Sequence, residues 1–99
     1  MTYKNRCPIC GSTTSTEIST MEGVGICEEI ETCPTCGYVY EFMYGNSRIY
    51  VNNKEFCYYY DTPDSVMHNI YRKVYKEAFK VQKRLRRLGK LKGRVKISV

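Results

Sequence analysis

The hydrophobic pattern of this chain changes period once. From residue 14 to residue 60 it runs as short β-prone stretches separated by turn residues. Residues 14–21 stop at Gly23-Val24-Gly25 and residues 26–32 follow, a spacing that predicts a hairpin. Residues 38–44 alternate, with Tyr38, Tyr40, Phe42 and Tyr44 on one face and Val39, Glu41 and Met43 on the other. Gly45-Asn46-Ser47 and Asn52-Asn53 predict turns into two more strands, residues 48–51 and 55–60.

After residue 62 the period becomes helical. Met67, Ile70, Val74, Ala78, Val81, Leu85 and Leu88 recur at three- and four-residue gaps, a single packing stripe. Thr62 is the expected N-cap, Pro63 suits the first helical position, and Asp64 suits the positive end of the dipole. Gly89 is the expected residue just past the helix end. A helix of this length exceeds what a small sheet covers. Its second half is expected to project, or its apolar stripe to meet another subunit. The tail alternates, with Lys90, Lys92, Arg94 and Lys96 on one face and Leu91, Val95, Ile97 and Val99 on the other. That pattern suits a strand packed on the domain or added to a partner's sheet. The chain thus divides into a β domain (1–61), an amphipathic basic helix (62–89) and a basic tail or terminal strand (90–99).

Charge follows the same division. Residues 1–62 carry four basic and eight acidic side chains, net −4; residues 63–99 carry twelve basic and two acidic, net +10. Lys73, Lys76, Lys80, Lys83 and Arg87 fall within about 80° of arc at 100° per residue, opposite the apolar stripe, with Arg84 at one margin. These six, with Lys90, Lys92, Arg94 and Lys96, form the expected polyanion surface. Thirteen aromatic residues, ten of them Tyr, cluster mostly in residues 38–60. Most are expected in the core of a small sheet packed on one helix.

Six cysteines in 99 residues, with no apolar leader at the N-terminus, point to metal in a reducing compartment more than to disulfides. Cys7-Pro8-Ile9-Cys10-Gly11 and Cys33-Pro34-Thr35-Cys36-Gly37 repeat one motif. Two thiolates on a tight turn face one metal, and two such knuckles supply a tetrahedral set. Cys7, Cys10, Cys33 and Cys36 are therefore the expected ligands of one structural zinc ion. Cys27 and Cys57 have no such partner and read as small buried hydrophobes. His68 and Cys57 alone would not close a second site.

With these two CPxCG knuckles, residues 5–45 resemble the zinc-ribbon family. That resemblance implies a structural metal holding two or three antiparallel strands. The family spans transcription factors, polymerase subunits, ribosomal proteins and nucleic-acid enzymes, so the resemblance implies a fold more than a function. The knuckles are also similar to those of iron-binding rubredoxins, but this chain is basic and lacks Trp.

The expected protein is a small α+β chain: a four-cysteine zinc ribbon with an extended antiparallel sheet, one long basic helix and a basic tail. The expected function is non-catalytic, sequence-nonspecific nucleic-acid binding, DNA or RNA, through backbone contacts. The alternative is a protein-interaction module docked on a polymerase, a ribosome or a viral shell, or self-associated through the helix stripe. An enzyme is disfavoured: there is one histidine, no Ser/His/Asp set and no phosphate-cradling glycine loop. No apolar run is long enough for a membrane span, and neither a membrane nor a small-molecule substrate is expected. The expected location is a cytoplasmic or other reducing intracellular one, nucleoid, nucleus or virion included, and not secreted.

Overall fold

The computed structural model describes residues 2–23, 25–91 and 95–98, without the side chains of residues 2 and 3. Among the described residues six strands form one antiparallel meander in chain order: β1 (Thr2–Arg6), β2 (Thr13–Met21), β3 (Gly25–Thr32), β4 (Val39–Met43), β5 (Asn46–Val51) and β6 (Lys54–Tyr59). One helix follows, α1 (Asp64–Arg87). The protein is thus a small α+β fold with its helix at the C-terminal side.

A meander alternates its turns between two ends. The β1–β2 and β3–β4 connections, which carry the two CPxCG motifs, therefore lie at the same end. The turn between β5 and β6 shares that end. It is Asn52-Asn53, as expected, with φ of 54° and 63°. The β4–β5 turn falls at Tyr44-Gly45, φ 47° and 85°, and not at 45–47. Asn46 and Ser47 already belong to β5, because a two-residue turn keeps the twist of the flanking strands. Residue 24, in the expected turn after Met21, lies outside the described residues.

β1 was not foreseen. Its sequence, Thr-Tyr-Lys-Asn-Arg, has no alternation of polar and apolar residues. It is an edge strand placed by the knuckle that follows it, with Asn5 opposite Thr14. On the inner face, Asn5 lies opposite Thr14, Thr16 opposite Glu31 and Glu31 opposite Tyr40, with Thr14 and Thr16 two residues apart on β2. Thr14 donates to Glu31 at 2.6 Å, and Asn5 to the Thr16 hydroxyl at 3.4 Å. This half of the sheet is held by polar pairs, whereas β5 supplies the apolar Ile49 and Val51.

α1 packs across β5 and β6. Val74, Ala78, Val81 and Leu85 are buried against Ile49, Val51, Tyr38 and the knuckles. Each Val or Leu buried this fully contributes about 1.5–3 kcal/mol. Three residues of the predicted stripe are less than fully buried. Met67 and Ile70 are partly covered and Leu88 is exposed. The buried positions run from Val74 to Leu85, so the middle and second half of α1 are covered and the first turns are not. That reverses the expected projection. The physical reason is the tail: Ile97 is buried and Val95 half-buried, and the Ser98 N–H donates to the Pro8 carbonyl at 3.0 Å. The described tail packs on this domain beside the first knuckle.

The helix ends as expected and begins differently. Gly89 has φ 74°; its N–H donates to the Arg86 carbonyl and the Lys90 N–H to that of Leu85, a Schellman cap. At the start, Pro63 occupies the cap position without a side-chain bond. The Thr62 hydroxyl is not a helix cap, because it accepts the Tyr59 N–H at 2.8 Å. Only Tyr38 among the described aromatics is fully buried. Tyr44, Tyr59 and Tyr60 are exposed, since one helix covers only part of the sheet, and Phe79 is exposed on α1 itself. Where α1 leaves the inner face open, a cleft of about 440 Å³ is lined by residues that include Glu29, Glu31, Tyr40 and Tyr71. No described helix is long and apolar enough to cross a membrane.

Candidate metal centre and cationic helix face

The two knuckles fold identically at the backbone. In the first, the Cys7 N–H donates to Ser12 and the Gly11 N–H returns to Cys7, at 2.7 and 2.9 Å. In the second, the Cys33 N–H donates to Tyr38 and the Gly37 N–H to Cys33, both at 2.9 Å. Gly11 and Gly37 take φ of 76° and 81°, where a Cβ is disfavoured. Each turn points two sulfurs the same way. The 22-residue spacer is one complete hairpin, β2 out and β3 back, which delivers the second knuckle beside the first.

Cys7, Cys10, Cys33 and Cys36 consequently converge, with all four Sγ atoms within 4.8 Å of one another. Cys7 and Cys36 lie 3.5 Å apart, and Cys10 and Cys33 3.6 Å. Tetrahedral bonds of about 2.3 Å place sulfurs about 3.8 Å apart, so the set fits a four-coordinate ion. Three of the four cysteines are buried and Cys36 is partly so. The Ile9 N–H points at Cys7 Sγ at 3.4 Å, a donor suited to a thiolate.

Electrostatics agrees with the geometry. The hydrogen bond shared with Cys36 holds the Cys7 thiol down to about 6, and the same bond drives Cys36 far up. Burial pushes Cys33 up to about 11. Four thiolates this close ionise together only when a cation compensates them. These residues could hold a metal ion, and no other such group of His, Cys, Asp or Glu occurs among the described residues. Cys27 is buried as expected. Cys57 is not: it faces solvent on the outer side of β6, with its thiol 3.2 Å from Asn46 Oδ1. His68 is exposed on α1, in the other layer.

A buried amide braces the centre from the side. Gln82, 3% exposed, donates from Nε2 to the Ile9 carbonyl at 2.7 Å and the Val95 carbonyl at 2.9 Å. Sequence reading missed it, because Gln82 lies off the apolar stripe and carries no local signal. It also missed Glu77, buried between Lys54 at 3.0 Å, Lys80 at 3.1 Å and Asn52 at 3.3 Å.

Of the predicted cationic residues, Lys73, Lys76, Lys80, Lys83, Arg84, Arg87, Lys90 and Lys96 are exposed. Lys92 and Arg94 lie outside the described residues. Lys80 is engaged by Glu77, and Arg84 donates to Asn52 at 3.0 Å. Lys73, Lys76, Lys83 and Arg87 have no ion-pair partner among the described residues. Arg72 and Arg86, absent from the predicted set, are exposed on the flank of the same face. In comparisons with known proteins, no family model, no curated protein and no solved structure matches this chain.

Proposed function

We propose that this chain is a non-catalytic zinc-ribbon protein that binds nucleic acid through its helix. In this reading the ion on Cys7, Cys10, Cys33 and Cys36 is zinc and its role is structural. A buried, all-sulfur set suits zinc and leaves no open position for chemistry. Zinc would tie the β1–β2 and β3–β4 turns together at the end where the helix and tail also pack.

The observation that carries the nucleic-acid reading is the cationic face of α1, on which Lys73, Lys76, Lys83 and Arg87 have no ion-pair partner among the described residues. Lys73, Lys76, Lys83 and Arg87 stand in solvent with Arg72 and Arg86 beside them. Like charges one turn apart cost a few tenths of a kcal/mol per pair in an isolated helix. A face that only kept the protein in solution would mix signs. Phosphates relieve the repulsion and release counterions when they do so. Engagement of five or six phosphates corresponds to a log–log salt slope of about −4 to −5. Contacts of this kind position a backbone without reading bases.

The test is a charge-reversal variant, Lys76→Glu with Lys83→Glu and Arg87→Glu. Lys80 is left alone because it balances the buried Glu77. The variant is expected to keep its metal and its fold and to lose binding to mixed-sequence oligonucleotides. Equal affinity of parent and variant at one salt concentration would refute the reading.

A further inference from the structure

Phe79 is 60% exposed on the solvent face of α1. At 100° per residue, Arg72, Lys76, Lys83 and Arg86 all fall within about 60° of it around the axis. Lys76 and Lys83 lie about 5 Å below and above it along the axis, and Arg72 and Arg86 about 10 Å. Tyr75 and Tyr71, one and two turns earlier, continue the ring file toward the sheet. Together with His68, Arg72, Lys76 and Phe79 they line a shallow hollow of about 530 Å³.

A large ring this exposed among cations adds little to core packing. It does match one class of partner. A base offers a flat π-face to stack on the ring, and its flanking phosphates match the cations. A duplex keeps its base faces inside the stack, so it would engage the cations and leave Phe79 unused. An unpaired strand engages both. We propose that this face binds single-stranded nucleic acid, with a base stacked on Phe79 and phosphates against Arg72, Lys76, Lys83 and Arg86. The inference rests on the nucleic-acid reading above and adds the strandedness of the partner and the stacking residue.

The test compares the full-length parent, Phe79→Leu and Phe79→Tyr. Each is titrated with a fluorescein-labelled DNA strand of mixed sequence and with its duplex, across a range of salt. Leu keeps the helix and the apolar character but removes the ring, and at this exposure it leaves the fold intact. Phe79→Leu is expected to weaken single-strand binding about tenfold with an unchanged salt slope, and Phe79→Tyr to restore it. Duplex affinity is expected to change by less than about twofold. If the parent binds and Phe79→Leu matches it on single strands, the stacking proposal falls while the nucleic-acid reading stands. If the parent binds neither form, both fall. The mass of the free protein is measured alongside. A dimer that dissociates on Phe79→Leu makes the face a contact between copies and overturns the proposal.

Discussion

Gln82 Nε2 donates to the carbonyl of Ile9 at 2.7 Å, joining α1 to the middle of the first knuckle. The same nitrogen donates to Val95 at 2.9 Å, so one amide holds the helix, the knuckle and the tail. Ile9 is itself wholly buried between Cys7 and Cys10. Gln82→Leu is close in size but leaves both carbonyls without this donor. The expected loss of stability is about 1–3 kcal/mol, read as a lower urea midpoint. Faster proteolysis of the tail is expected with it. An unchanged midpoint would show that the bracing is dispensable.

For the metal, elemental analysis is expected to find one zinc per chain. Cys7→Ser and Cys33→Ser should lose the ion and much of the soluble yield, because metal-binding free energy is part of the folding free energy of the knuckle end. A strong chelator should lower the thermal midpoint of the parent. Cys27→Ala and Cys57→Ala should keep full metal content. Iron in the parent, or a well-folded metal-free sample, would count against zinc.

The two knuckle glycines share a conformation but differ in surroundings. A Cβ on Gly11 would sit 3.2 Å from Val95 Cγ1, whereas one on Gly37 would meet nothing within 4 Å. Both Ala variants carry the left-handed backbone cost of about 1–2 kcal/mol. Gly11→Ala should be the less stable of the two, because it also displaces the tail. Equal thermal midpoints would mean that residue 95 yields freely.

Glu77 gives a pH dependence with a defined sign. Lys54, then Lys80, then Asn52 hold its carboxyl down to about 2, against an ordinary value of 4.5. A depressed folded value means that the group contributes its stability above the unfolded value and loses it as pH falls through the folded one. The stability gap between the parent and Glu77→Gln should therefore be constant above pH 4.5 and close toward pH 2. Comparing the two proteins at each pH cancels the acid release of metal common to both. A gap that does not narrow would show that Glu77 acts through packing alone.

What the sequence determined by itself was local. The two CPxCG motifs specify their own turns, because proline sets φ before each turn and glycine permits a positive φ after it. The 22-residue spacing allows one hairpin between them, and so the cysteine cluster was legible before any coordinates. The helix was legible from its period, and Gly89 marked its end. What only the tertiary structure decided were relations between distant segments. β1 has no pattern of its own and exists because the knuckle folds it back onto β2. Gln82 and Glu77 read as polar helix positions, yet both are buried, because the tail and the Asn52–Lys54 turn bring partners to them. Leu88 reads as packing and stands in solvent, because the helix terminates as its Schellman cap forms. Periodicity encodes which side of a helix is apolar. Which stretch of that side finds a neighbour depends on where the sheet and the tail end, and no local signal carries that information.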